Sequence, residues 1–306
     1  MTRRSYMDRR ALFASGAAAA LLAASGVSAG SLPRRGGRLR VALSGASRED
    51  RFDPQLFDPV AEPRSTGLFM QVAMVGVVFE TLTEVAADGT LRGELATSWR
   101  SNEDATTWEF TLRDDVTFHN GMRFTAKDIN RLEAHARAHD VLDTVERIKA
   151  VGDHVVQFQL HTADHHLPFK LANPQLCILP HADIDAAMEE GIGTGPYKLR
   201  KFDAGRHLIA DRIERHYKDG QAAWFDTVEL VGIASDEVRA EALRDHYVDV
   251  ADLSHMMDVG DDEGFTALPR NGFMNCVVDS CVALPTQIGE AWPLDNLRAP
   301  QRWWMA

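Results

Sequence analysis

A mixed α/β fold, lacking the regular βαβ alternation of a doubly wound sheet, is predicted for this 306-residue chain. Three observations lead there. Short runs alternate apolar and polar residues with period two. Longer runs between them carry apolar residues at helical spacing or nearly all round, and the two kinds follow one another irregularly. No internal repeat or low-complexity linker interrupts them.

The elements follow in order. RLRVAL (38–43) alternates Leu39, Val41 and Leu43 on one face and predicts a strand. LFMQVAMVGVVFETL (68–82) is apolar almost all round, which predicts a buried helix. Asp88-Gly89 marks a turn. TTWEFTL (106–112) alternates through Trp108, Phe110 and Leu112. Thr125 with Asp128 three residues later forms a capping-box pattern, opening a helix that runs towards Ala138. VVQFQL (155–160) sets Val156, Phe158 and Leu160 against Gln157 and Gln159. TVELVGI (227–233) predicts a strand. SDEVRAEALRDH (235–246) predicts a helix capped by Ser235, with acids in its first turn.

The first 29 residues stand apart. Arg3-Arg4 and Arg9-Arg10 precede an uncharged Ala- and Leu-rich stretch from Ala11 to about Val27, too weak for a spanning helix. Val27-Ser28-Ala29 places small residues where a signal peptidase reads, predicting cleavage between Ala29 and Gly30. Arg9 and Arg10 directly before the apolar core resemble a twin-arginine export signal, with an ordinary secretory signal or an uncleaved anchor as the alternatives. Cleavage removes four Arg and one Asp, taking the formal charge from −12 to −15. That balance argues against nucleic acid or anionic membrane as partner. Of the three cysteines only Cys276 and Cys281 are close in sequence; a disulfide and two buried thiols are both open.

GTGPYKL (193–199) poses the sharpest question, since glycine-rich runs often cradle phosphate. Pro196 has no N–H to offer an anion, the run YKLRKF behind it alternates as a strand, and no helix N-terminus follows. The glycines are therefore expected to serve backbone geometry, turning the chain out of a helix at 181–190.

DGTLRGELATSWRSNEDATTWEFTLRDDVTFHNGMRFTAKDI (88–129) resembles a stretch of the periplasmic dipeptide- and oligopeptide-binding proteins of ABC importers, the extracellular solute-binding protein family 5. Leu95, Ala96, Ser98, Trp99, Trp108, Phe110, Leu112, Arg113, Val116, Phe118, His119, Gly121, Phe124, Thr125, Ala126 and Asp128 carry the likeness. GTGPYKL is similar to the segment with which that family re-enters its main lobe. The likeness runs from about Gly37 to Leu253, and NLRAPQRWWMA (296–306) resembles a family C-terminus.

The resemblance implies a periplasmic-binding-protein-like main lobe from residues 30–75 and 191–306, with an inserted α+β subdomain at 76–190 behind the signal segment 1–29. It implies a second lobe that is largely absent, because the segment after Asp252 leads almost directly to the tail. The alternatives are then a natural one-lobed form and a deletion relic. Implied partners are a peptide or similar small solute and an ABC permease and ATPase complex, with self-association through the uncovered cleft face. Implied ligand contacts are Leu43, Ser44 and Gly45 at the first strand's end, with Gly193, Thr194, Gly195 and Tyr197 at the bend. His119-Asn120-Gly121 is read as a turn with positive φ at Gly121.

Catalysis finds little support in the residues. His154, His161, His165, His166 and His181 crowd together, and a metal-dependent hydrolase built on them is the weaker alternative. His161 ends a strand pattern, Pro168 follows closely, and no His-Glu-x-x-His spacing occurs. There is no Gly-x-Ser-x-Gly elbow. Neither a catalytic residue, a metal nor a cofactor is expected.

Overall fold

A computed structural model describes residues 35–56, 67–85, 90–133, 140–253, 265–267 and 276–279. The expected signal segment with Arg9, Arg10, Ala29 and Gly30, the expected turn at Asp88-Gly89, Cys281 and the segment 296–306 lie outside the described residues.

Strand β1 (Arg38–Leu43) follows the first alternating run, with Leu39, Val41 and Leu43 buried. Helix α1 (Leu68–Gln71) continues directly into a π-helical stretch, Val72–Val78, in which every residue is buried. The helix expected to reach residue 82 stops there. Phe79 still donates its N–H to Met74 O at 2.7 Å but is itself extended, at φ −113° and ψ 157°. An all-apolar run fits a buried helix and a buried extended segment equally, so periodicity could not place this end.

Strands β2 (Thr83–Val85) and β3 (Leu91–Gly93) pair as a ribbon, followed by β4 (Ala96–Ser101) and β5 (Thr107–Leu112). Helix α2 (Ala126–Ile129) opens on the expected cap, the Asp128 carboxylate accepting from Thr125 N–H at 2.8 Å. Next come β6 (Val145–Gly152), β7 (Val155–Leu160), α3 (Leu167–Lys170) and α4 (Ile184–Glu190). The remaining elements are β8 (Tyr197–Asp203), β9 (His207–Arg212), β10 (Thr227–Gly232), α5 (Asp236–Arg244) and β11 (Val250–Asp252). Strands β12 (Phe265–Ala267) and β13 (Cys276–Asp279) complete the order. Ser235 caps α5 by accepting from Val238 N–H, as its sequence predicts.

Among the described residues, seven strands form the main sheet in the order β12-β13-β11-β1-β10-β9-β8, where β1 runs parallel to both β10 and β11. Both faces of β1 are covered. Leu39, Val41 and Leu43 join Phe52, Phe79, Tyr197 and the π-helical residues in one core, while Ala42 meets Ala240 and Leu243 of α5 on the other. Covering both faces is the usual condition for parallel strands. A separate antiparallel sheet, β4-β5-β7-β6, builds a second core around Trp108, Phe110, Phe118, Phe124 and Phe158. Phe110 and Phe158 meet edge to face at 5.3 Å, a geometry worth about 0.5–1.5 kcal/mol beyond area burial.

Candidate functional site

The C-terminal ends of β1, β10 and β11 lie side by side, and side chains lock them together. In open α/β sheets this edge is where ligands bind. Ser44, one residue past β1, donates to Asp252 twice: N–H to Oδ1 at 2.8 Å and Oγ to Oδ2 at 2.7 Å. Arg239 on α5 is only 2% exposed. Its Nε donates to the Asp252 carbonyl at 2.7 Å, and Nη1 donates to the carbonyls of Ile233 and Ala234 at 2.6 and 3.0 Å. Nη2 meets the Asp236 carboxylate. The buried guanidinium is thus surrounded by oxygen, the condition under which a buried charge is tolerated.

This network holds the rim above it. Leu43 is buried, and its carbonyl accepts from Ile233 N–H at 2.9 Å. The Ser44 carbonyl accepts from Phe69 N–H at 3.1 Å, tying the rim to the start of α1. Gly45 is exposed at φ +73°, and a Cβ on the facing Gly67 would lie 1.8 Å from its carbonyl oxygen. Two glycines are needed where these backbones touch.

Strand register puts the other predicted residues elsewhere. Leu43 pairs with Gly232, and that end of the sheet continues through Val231, His207 and Asp203. Tyr197 pairs with Arg212, beside Asp211 and Thr227 and hence level with Arg38. A six-residue strand spans about 17 Å, so the bend and the Ser44 rim occupy opposite ends of the sheet. The structure does not bring the two sets together.

The glycines of the bend also act differently from expectation. Gly191, at φ +65°, turns the chain out of α4. Gly193 and Gly195 instead permit close approach: a Cβ would fall 2.1 Å from Val78 O at Gly193 and 2.4 Å from Val77 O at Gly195. Gly195 N–H donates to Val78 O at 2.8 Å. Thr194 is buried, and Tyr197 lies in the first core, where burial pushes its phenol well above the ordinary value.

His119 grips this bend from the turn read in the sequence, where Gly121 has φ +87°. Its N–H donates to Gly193 O at 2.9 Å, Nε2 lies 2.8 Å from Gly195 O, and Nδ1 accepts from Gly193 N–H at 3.3 Å. A ring accepting at Nδ1 and facing a carbonyl at Nε2 is the neutral Nε2–H tautomer. Sequence reasoning placed His119 in a turn without its partners in the bend, and missed Arg239 and Asp252. An arginine between apolar positions on the inner face of 235–246 was the only available signal.

Two members of the histidine cluster, His161 and His181, are engaged in other bonds. His161 faces Thr162 Oγ1 and the Asp143 carbonyl, at 2.9 and 2.8 Å. His181 Nδ1 lies 2.8 Å from Asp128 Oδ1. Among the described residues no group of three His, Cys, Asp or Glu is arranged to hold a metal ion.

The family profile of the bacterial extracellular solute-binding proteins, family 5 Middle, matches residues 90–270. The nickel-binding periplasmic protein of Escherichia coli (strain K12) is 30% identical over 167 residues, covering 50% of this chain and 32% of that protein. The probable D,D-dipeptide-binding periplasmic protein DdpA of the same organism is 24% identical over 219 residues, covering 65% and 41%. Among solved structures, the PBP AgaA from A. tumefacien R10, in complex with agropinic acid, matches with a TM-score of 0.65 at 22% identity. It covers 76% of this chain and 48% of that one. DppA from Helicobacter pylori, in complex with the peptide STSA, gives 0.64 at 22% identity, covering 77% and 51%. These structures share the fold, that of periplasmic binding proteins, and the chain spans about half their length and less than half that of the curated relatives. Running from the Trp108 sheet through the His119 turn and the glycine bend to β11, the profile match covers more than half of the chain, and the protein belongs to the bacterial extracellular solute-binding proteins, family 5.

Proposed function

We propose that this chain is the non-enzymatic, periplasmic solute-binding component of an ABC-type import system, working with a membrane permease and ATPase, and that its solute is a peptide or a similar small molecule. The family match carries this reading. Gly45, exposed just past the end of β1 on a rim that Leu43 and Ser44 hold in place, supports it, because exposed backbone at a strand end suits main-chain bonding to an extended ligand. In this reading Asp252 and Arg239 hold the rim, and the buried Gly193, Thr194, Gly195 and Tyr197 brace the far end of the sheet. The main lobe is assigned residues 30–75 and 191–306 and the inserted subdomain 76–190; two separate cores favour an insertion of this kind, with the changes of core falling between Phe79 and Leu82 and between Ile178 and Leu179. Export runs by the twin-arginine route through Arg9 and Arg10, with cleavage between Ala29 and Gly30. Among the described residues no helix is long and apolar enough to cross a membrane.

A second reading, a one-lobed interaction protein or relic without tight binding, is separated from the first by measuring what the chain binds by itself. One lobe leaves its ligand half solvated, so association must offset lost motional freedom with few contacts. We expect dissociation constants between micromolar and millimolar, or about −8 to −4 kcal/mol. Calorimetry of the mature chain against di- and oligopeptides, with nickel–histidine as the competing class, tests this alongside light scattering. Peptide binding in that range supports the proposal. Binding of nickel–histidine alone overturns the peptide assignment. No binding of either, with self-association through the cleft face, establishes the second reading.

A further inference from the structure

The chain passes between its two cores twice, and a buried charge cluster sits at the crossing. Phe79 belongs to the first core and Leu82 to the second; on the way back Ile178 belongs to the second and Leu179 to the first. The two crossings touch, since Ile178 N–H donates to Glu80 O at 2.9 Å. The side chains of Glu80 and Glu94 are fully buried there. Lys218, from the connection between β9 and β10, reaches them with Nζ 2.8 Å from Glu84 Oε2, 2.9 Å from Glu94 Oε1 and 3.7 Å from Glu80 Oε1. Tyr217 donates its hydroxyl to Glu80 Oε1 at 2.6 Å, and His216 Nε2 lies 3.3 Å from the same oxygen. Glu94 Oε2 accepts from the N–H and Oγ1 of Thr81 at 2.8 and 2.9 Å. Arg113 stacks over the Tyr217 ring at 3.8 Å and donates Nε to the Glu94 carbonyl at 2.7 Å. Through the bend that it grips, His119 completes the ring of titratable neighbours.

We propose that this cluster is an acid-releasable latch: Lys218 and His216, carried by the main sheet, hold the carboxylates of the crossing segments, and protonating those carboxylates frees the second core to move against the first. The fastening is electrostatic where apolar packing would have been indifferent to pH, and buried charge pairs act at short range in a medium that screens them poorly. Removing one partner from such a set leaves the others uncompensated. Burial by itself pushes the Glu80 carboxyl up, but His216 and Lys218 outweigh it and hold the group below its ordinary value of 4.5. A carboxyl depressed in the fold contributes stability above its ordinary value and loses it as pH falls through the folded one. Tyr217, kept protonated by burial and by the three carboxylates, remains a donor throughout.

Native-state hydrogen exchange of the mature chain reads the latch locally. Amides of Thr81 and Ile178 report the crossings, and those of Val228 and Leu230 in β10 report the main sheet. On acidification from about pH 7 to about pH 3, the crossing amides are expected to lose about tenfold more protection than the β10 amides. Lys218→Met should move that loss to higher pH, and Lys218→Arg should restore it. Glu84→Gln, which leaves Lys218 fewer carboxylates to share, should move it to lower pH and serves if Lys218→Met does not fold. Parallel loss at all four amides, or a midpoint that none of these substitutions moves, overturns the latch.

Discussion

Burial holds the His119 imidazole below its ordinary value of 6.5, against the opposing pull of neighbouring backbone groups. Its geometry demands the same neutral form, because a protonated Nδ1 cannot accept from Gly193 N–H. A histidine kept neutral in the fold takes up its proton only on unfolding. Its contribution is therefore intact above 6.5 and declines as pH falls below that value. The melting temperature should drop between about pH 7 and pH 5, and His119→Gln should flatten that part of the profile while lowering stability at neutral pH. An unchanged slope in the variant would assign the acid sensitivity to another group. The turn at 119–121 was legible because Asn-Gly carries its own backbone preference. The bond to Gly195 was not, since nothing local announces a partner 76 positions away.

Elements with a strong internal rhythm were read nearly to the residue: β1, β5, β7, β10 and the Ser235-capped α5. The helix from Leu68 was read too long because its pattern has no polar face to mark where the backbone changes course. What ends it is tertiary: the carbonyls of Val77 and Val78 face the glycine bend, and Val78 O takes the Gly195 N–H. Gly195→Ala tests this contact between elements. The added carbon has backbone, which cannot rotate away, as its nearest neighbour at 2.4 Å. A loss of about 3 kcal/mol in urea unfolding is expected, at the upper end of overpacking. A loss no larger than that of an exposed Gly152→Ala control would show that the bend yields freely.

At the scale of the molecule, the candidate rim became visible only once the sheet was assembled. Ser44 and Asp252 lie 208 positions apart, and each looks ordinary in its own stretch. Period-two alternation identifies a strand without identifying its neighbour, so the pairing of β1 with β10 and β11 had no local signature. That pairing also sets a clock. Strand β1 emerges from the ribosome long before its partners, both of which lie beyond residue 226. Until they appear, its two hydrogen-bonding edges have only solvent or a chaperone to meet, and loop closure over such distances is slow. Nascent chains arrested before Thr227 should leave Arg38–Leu43 open to protease, and chains released past Leu253 should protect it. Protection already at residue 200 would mean that another segment shelters β1 during translation. A protein exported only after folding would thus have to be finished before it could leave.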